Sequence, residues 1–231
     1  MSFRGPSSTT GREATKAAVA ARQRAALVSG LKRLADTPST PRPAVAQPRG
    51  EGERCDLCGR DLGSDHRHML QLEERRIDCS CDACWSLRSG DPEYRPVGTR
   101  IAWLPELELA DEVWAGFGIP IGLAFFMRSS TAGKVVGLYP SPAGATECEL
   151  DLAAWDTLCE TNPILHSLES DAEGLVVNRM ASPPQYAIAP IDLCYGLVGL
   201  VKANWEGISG GAGIERAIEG FFDELRERGS A

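Results

Sequence analysis

Five cysteines and two histidines lie between residues 55 and 84, and these are the residues with the clearest chemistry in the sequence. They are Cys55, Cys58, His66, His68, Cys79, Cys81 and Cys84. Thiolates and imidazoles are the side chains that bind zinc and iron most readily in proteins. Two thiolates separated by two residues can converge on one ion, so the spacing predicts a metal site in this segment.

The favoured ligand set consists of the two pairs that each have two intervening residues. These pairs are Cys55 with Cys58 and Cys81 with Cys84. Gly59 follows the first pair and would relieve the tight backbone after it. Cys79 is an alternative to Cys81, or lies beside the ligands. His66 and His68 are further alternates, and together with Cys79 they could form a second site.

The softness of the ligands indicates which metal the site would hold. Four thiolates favour zinc, with a single iron or an iron–sulfur cluster as the alternative. A closed zinc site would stabilise a segment that is too short to build its own core. The sequence predicts a hairpin strand over Leu70–Ile77 and a helix that starts after Cys84. Together these elements would form a treble-clef-like module, with a zinc ribbon as the alternative.

Composition divides the 231 residues into three parts. Residues 1–52 are predicted to form a basic tail that is disordered or helical, with a helix over Glu13–Ala35 and a proline-rich linker over Thr37–Gly52. Residues 53–90 form the predicted Cys/His module. Residues 101–231 are predicted to form an α+β domain, which places the protein in the α+β class.

The α+β domain contains four strand patterns and four helix patterns. The predicted strands are Ile119–Arg128, Lys134–Tyr139, Gly174–Asn178 and Gln185–Ala189. The predicted helices are Leu107–Phe117, Asp151–Glu160, Ile191–Trp205 and Ile214–Arg228. A four-stranded antiparallel sheet with helices on one face would bury these apolar patterns. The glycine-rich segment Gly207–Gly213 lacks the lysine of a phosphate-binding loop and is predicted to connect two helices.

The segment that follows the second predicted strand is the most distinctive feature outside the cysteine cluster. Its residues are Tyr139, Pro140, Ser141, Pro142 and Gly144. Two prolines make such a loop rigid, so it is a candidate for partner binding, with a stiff structural turn as the alternative. No nucleophile motif G-x-S-x-G surrounds its serine. The sequence therefore contains no predicted catalytic residue and does not favour an enzyme.

Charge and hydropathy exclude several classes of function. Residues 1–50 carry nine basic and two acidic residues, a net charge of +7, whereas residues 51–231 carry 15 basic and 30 acidic residues, a net charge of −15. A body of this charge repels nucleic acid. No apolar run is long enough to cross a membrane. Without a secretion signal we expect a cytoplasmic protein, in which clustered cysteines indicate metal rather than disulfides.

Several motifs resemble those of a known family. They are Cys-Asp-Leu-Cys-Gly at 55–59, His-Arg-His at 66–68, Cys-Ser-Cys-Asp-Ala-Cys at 79–84, Gly-Ile-Pro-Ile-Gly-Leu-Ala-Phe-Phe at 118–126 and Tyr-Pro-Ser-Pro-Ala-Gly-Ala-Thr-Glu at 139–147. The chain, from about Cys55 to Leu225, resembles an uncharacterised bacterial family found in gene clusters of actinobacterial-type nickel–iron hydrogenases. The resemblance implies a role in hydrogenase assembly or function, and it implies no reaction.

These observations favour a non-enzymatic, zinc-binding accessory protein that acts through protein–protein interaction. The expected partner is a hydrogenase subunit or a maturation factor, and the sequence leaves the oligomeric state open. The alternative is an iron-binding electron carrier that uses the same cysteines. An enzyme using the histidine pair and a nucleic-acid-binding zinc finger are less favoured, the second because of the acidic body.

Overall fold

The structure is a computed structural model, and it describes residues 53–205 and 211–229. The predicted basic tail, with its helix over Glu13–Ala35 and its linker over Thr37–Gly52, lies outside these residues. Most of the predicted connector Gly207–Gly213 lies outside them too. The described residues between 53 and 229 belong to one compact unit. The proposed boundaries of a module over 53–90 and a domain over 101–231 remain a prediction.

The Cys/His segment and the residues that follow it form a small three-stranded antiparallel sheet, with a short helix between its second and third strands. Its strands are β1 (Arg67–Gln71), β2 (Arg76–Ser80) and β3 (Tyr94–Pro96), in the order β2-β1-β3. Helix α1 (Asp82–Arg88) begins two residues after β2. The strand predicted over Leu70–Ile77 is wrong, because these two residues face each other across the β1–β2 hairpin and the chain turns between them.

The second sheet has six antiparallel strands, so the prediction of four strands is wrong. Its strands are β4 (Ala102–Trp103), β5 (Leu123–Ser129), β6 (Lys134–Ser141), β7 (Gly144–Glu147), β8 (Glu173–Asn178) and β9 (Gln185–Pro190). Their order is β4-β9-β8-β5-β6-β7. The four central strands are those predicted from sequence. The two additional strands are short and lie at the edges, where pairing with a single neighbour holds them.

Four helices and one 3-10 helix complete the described part of this domain. They are α2 (Asp111–Gly116), α3 (Leu152–Thr161), the 3-10 helix Pro163–Ser167, α4 (Ile191–Ala203) and α5 (Gly211–Gly229). The side chain of Asp151 accepts a hydrogen bond from the Ala153 backbone N–H at 2.9 Å and so caps the start of α3. Helix α3 ends at Thr161, because Pro163 disfavours the helical conformation of Asn162 before it.

Helices cover both faces of the six-stranded sheet, which corrects the prediction of helices on one face. Leu123, Phe125 and Met127 of β5 pack in one core layer with residues of α4 and α5. Ala124 and Phe126 point to the other face and pack in a second layer with residues of α3. Successive side chains of a strand point to opposite faces, so a strand that is apolar at both sets of positions requires a cover on each side.

The cysteine-bearing hairpin packs directly on the larger sheet domain. Leu70 of β1 is completely buried in the same core layer as Leu197 and Val198 of α4. Helix α4 therefore connects the small sheet to the core of the large one. Within the described residues, no helix combines the length and apolar character that a membrane span requires.

Candidate metal centre

A turn and a helix start present the four cysteines of the favoured set. Cys55 and Cys58 lie on a tight turn in which the Gly59 N–H donates to the Cys55 carbonyl at 2.8 Å. Gly59 has a φ of 74°, a left-handed conformation that glycine adopts without strain. Cys81 is the N-cap residue of α1, and Cys84 lies in its first turn. The sequence therefore uses a turn for one pair and a helix start for the other.

Hydrogen bonds at Cys79 hold the turn against the end of β2. The Asp56 N–H donates to the Cys79 carbonyl at 2.9 Å. In return, the Cys79 N–H donates to the carboxylate of Asp56 at 2.7 Å. Because Cys81 follows Cys79 by two residues, these bonds also fix the distance between the two pairs of cysteines.

The four sulfur atoms converge closely enough to share one metal ion. The Sγ atoms of Cys55, Cys58, Cys81 and Cys84 all lie within 4.8 Å of one another. Cys58 Sγ and Cys81 Sγ are 3.8 Å apart. Four thiolates bound to zinc at about 2.3 Å would be separated by about 3.8 Å, whereas a disulfide measures about 2.05 Å. This cluster could therefore hold a metal ion.

The cysteines of this cluster differ in how readily they lose their protons. Burial opposes ionisation of Cys55, but hydrogen bonds from the backbone N–H groups of Cys81 and Leu57 outweigh it and lower its pKa to about 6. Cys84, beside the sulfur of Cys58, has a pKa raised to about 12. A hydrogen bond from the Cys84 backbone N–H lowers the pKa of Cys81 as well. Cys55 and Cys81 thus ionise more readily than Cys84, and a bound cation would stabilise all four thiolates.

The structure brings the remaining three predicted residues together in a separate group. His68 on β1 and Cys79 on β2 are directly opposite each other in the hairpin, and His66 precedes β1 by one residue. The ligand atoms of His66, His68 and Cys79 all lie within 4.8 Å of one another. Cys79 therefore belongs with the histidines and does not take the place of Cys81 among the four cysteines.

His68 has a carboxylate partner that is far from it in sequence. Nδ1 of His68 lies 2.6 Å from Oδ2 of Asp192, in the first turn of α4. The hydrogen bond to Asp192, assisted by one to Cys79, raises the pKa of His68 to about 10. No local pattern could relate two residues that are 124 positions apart.

Most of the predicted partner-binding loop is strand, because Tyr139, Pro140 and Ser141 end β6 and Gly144 begins β7, which leaves only residues 142–143 in the turn. Ser141 Oγ donates to the Gly144 carbonyl at 3.0 Å and accepts from Thr146 Oγ1 at 2.9 Å. Pro140 is buried, Tyr139 is half-buried, and Pro142 is exposed at the tip. Only the tip offers a free surface, because the other residues have contacts within the fold. Partner binding by this segment remains a prediction.

Comparisons with known proteins place the chain in a family without assigning it an activity. No curated protein matches the sequence. No solved structure matches it either. A family model described as a family of unknown function, DUF5947, matches residues 54–229. Nothing in these comparisons links that family to hydrogenase gene clusters or to actinobacteria. The match extends over most of the chain and includes both cysteine pairs and the whole described fold, so this chain belongs to the DUF5947 family.

Proposed function

We propose that this protein is a non-enzymatic, zinc-binding accessory protein that acts by binding a protein partner. The observation that carries the proposal is the convergence of four cysteine sulfurs at the spacing of a tetrahedral site. Four protein ligands would complete the coordination of zinc and leave no position for a substrate. Such a closed site serves structure, and the function then resides in the surface that the metal stabilises.

The position of the four cysteines supports a structural role. The Cys55 side chain is buried, and the hairpin between the two cysteine pairs contributes Met69 and Leu70, both completely buried. The α1 helix itself contains no buried residue. Since a helix of seven residues is unstable without tertiary contacts, ligation through Cys81 and Cys84 would supply the energy that holds it.

Metal content and colour test this role. We expect protein purified without added metal, and without oxygen, to contain at least one equivalent of zinc per chain and to show no visible absorption. Zinc has a filled d shell, whereas iron bound to thiolates absorbs visible light. Elemental analysis together with a visible spectrum is the measurement. A metal-free protein that is fully folded would contradict the proposal.

An iron-binding electron carrier is the second candidate, and the exposure of Cys58 favours it. Cys58 is exposed while Cys55 is buried, so one side of the metal cluster would reach the surface. An electron could enter or leave the centre through this side. Iron in the purified protein, with absorption bands that a reductant bleaches, would replace the structural role with electron transfer.

For the partner, we propose a subunit or a maturation factor of a nickel–iron hydrogenase. The support for this partner is the resemblance of the sequence motifs given above. The net charge of −15 over residues 51–231 suits a partner with a basic surface.

Co-purification tests this partner. We expect the tagged full chain to capture a hydrogenase subunit or maturation factor from hydrogenase-producing cells at low salt and to lose it as salt is raised, because exposed charges are screened. The same chain lacking residues 1–50 serves as the comparison, since loss of capture on that deletion would assign the contact to the basic tail. Capture of no hydrogenase component at low salt would contradict the hydrogenase proposal and leave the zinc site unaffected.

A further inference from the structure

The two clustered histidines face each other through the nitrogens that their other contacts leave available. Nε2 of His66 and Nε2 of His68 are 3.1 Å apart. Nδ1 of His66 lies 2.9 Å from the Gly63 carbonyl, and Nδ1 of His68 lies 2.6 Å from the Asp192 carboxylate. These oxygens can only accept hydrogen bonds, so each Nδ1 carries a hydrogen. In the neutral rings, both Nε2 lone pairs then point at the same space.

Two lone pairs at this distance repel each other unless a cation lies between them. This cation is either a proton bound to one of the two rings or a metal ion bound to both. Three features favour the metal. The sulfur of Cys79 converges on the same space, within 4.8 Å of the histidine nitrogens. Two nitrogens bound tetrahedrally to zinc at 2.0–2.1 Å would be about 3.3 Å apart, close to the spacing seen here.

The third feature is the set of oxygens behind the imidazoles. Histidines that bind metals almost always donate their other ring N–H to a carboxylate or a backbone carbonyl, which fixes the orientation of the ring. Asp192 serves His68 in this way and the Gly63 carbonyl serves His66. The Asp192 carboxylate would also stabilise a protonated His68 that donates to His66, so a count of bound metal ions distinguishes the two cations.

We propose that His66, His68 and Cys79 bind a second divalent metal ion, preferably zinc, and leave its fourth position open to water or to a small exogenous ligand. Within the described residues, no fourth cysteine, histidine or carboxylate belongs to this group. The His68 side chain is 30% exposed, so solvent reaches the group. Three protein ligands with an open position are typical of zinc sites that bind or polarise a ligand, in contrast to the closed cysteine cluster.

Such a site would also join two parts of the fold. His68 lies on β1, Cys79 lies on β2, and His66 directly precedes β1. Asp192, in contrast, belongs to α4, which packs in the core of the large sheet. Asp192 would act as a positioning residue, because it contacts His68 and not the metal. Exchange of the exogenous ligand at the open position would therefore alter the contact between the hairpin and α4.

The number of metal ions per chain tests this proposal. We expect the full chain, saturated with zinc and freed of excess by gel filtration, to contain two zinc ions. X-ray absorption at the zinc edge should then show nitrogen as well as sulfur ligands. The double variant His66→Ala/His68→Ala should retain one zinc with sulfur ligands only. His166→Ala is the matched control, since His166 is exposed and lies outside both clusters, and it should retain two.

Asp192→Asn provides an independent test that removes no ligand. Loss of the carboxylate behind a metal-bound histidine weakens binding by about 10- to 100-fold, so a chelator should remove one of the two zinc ions more easily from this variant. A wild-type chain with one zinc and only sulfur ligands would overturn the proposal, as would two zinc ions in the double histidine variant. The zinc count and the X-ray absorption spectrum of the wild-type chain test the second site even if the double histidine variant fails to fold.

Discussion

Replacing Cys55 by serine is expected to remove the proposed zinc ion from the four-cysteine cluster and to unfold the small sheet around it. Zinc bound by four thiolates contributes about 10–16 kcal/mol to the folding of small zinc modules, and serine is a poor ligand for zinc. The side chain is 1% exposed, so a serine there would also be buried without the metal. The measurement is a ¹H–¹⁵N NMR spectrum, in which the resonances of β1, β2 and α1 should collapse toward random-coil positions.

Cys148→Ser is the matched control for this substitution. Cys148 lies outside both clusters, and its sulfur donates a hydrogen bond to the Gly137 carbonyl at 3.3 Å that a serine hydroxyl can replace. This variant should keep its zinc and its NMR spectrum. If Cys55→Ser retained one sulfur-bound zinc and a dispersed spectrum for β1 and β2, the four-cysteine cluster would not be the structural centre of the module.

The spacing of the cysteines was sufficient to predict the four that converge. It did not predict that Cys79 would lie beside the two histidines. Cys81 and Cys84 are three residues apart at the start of α1, so both lie on one side of the helix. Cys79 lies on a strand, where its direction depends on which residue of β1 it pairs with. A shift of one residue in that pairing would turn Cys79 away from His68, and sequence alone does not fix the register.

The edges of the large sheet were missed for a related reason. Strand β4 has two residues, too few to show any alternation of polar and apolar side chains. Strand β7 follows Pro140 and Pro142, which indicated a loop. Both strands form because a neighbouring strand offers free backbone groups, Ala187 and Ile188 for β4 and Leu138–Ser141 for β7. The pairing of β4 with β9 spans more than 80 residues and leaves no local pattern. Strand β7 instead belongs to a local hairpin, which the two prolines concealed because proline is rare inside strands.

The sequence of β5 contains enough information to predict that both faces of the sheet are covered. From Leu123 to Met127, strand β5 is apolar at every position and completely buried or nearly so. A strand with one solvated face would alternate, so an uninterrupted apolar run indicates layers on both sides. The prediction of helices on one face did not use this information. The two core layers of the structure follow directly from it.

Phe126→Ala tests the second of these layers and is expected to lower the free energy of unfolding by about 3–5 kcal/mol. Phe126 is completely buried, with its ring centroid 4.8 Å from that of Phe117 and 5.5 Å from that of Trp155. Truncation would remove these contacts and leave a cavity that the rigid sheet cannot close. Chemical denaturation of the zinc-saturated protein, followed by circular dichroism, measures the change.

Ile164→Ala is the control, because Ile164 belongs to the 3-10 helix on the same side of the sheet but is 47% exposed. Its free energy of unfolding should change by less than about 0.5 kcal/mol. A loss below about 1 kcal/mol for Phe126→Ala would mean that the layer of α2 and α3 is loosely packed on the sheet. The fold would then depend on the opposite layer, where α4 and α5 lie and where Asp192 meets His68.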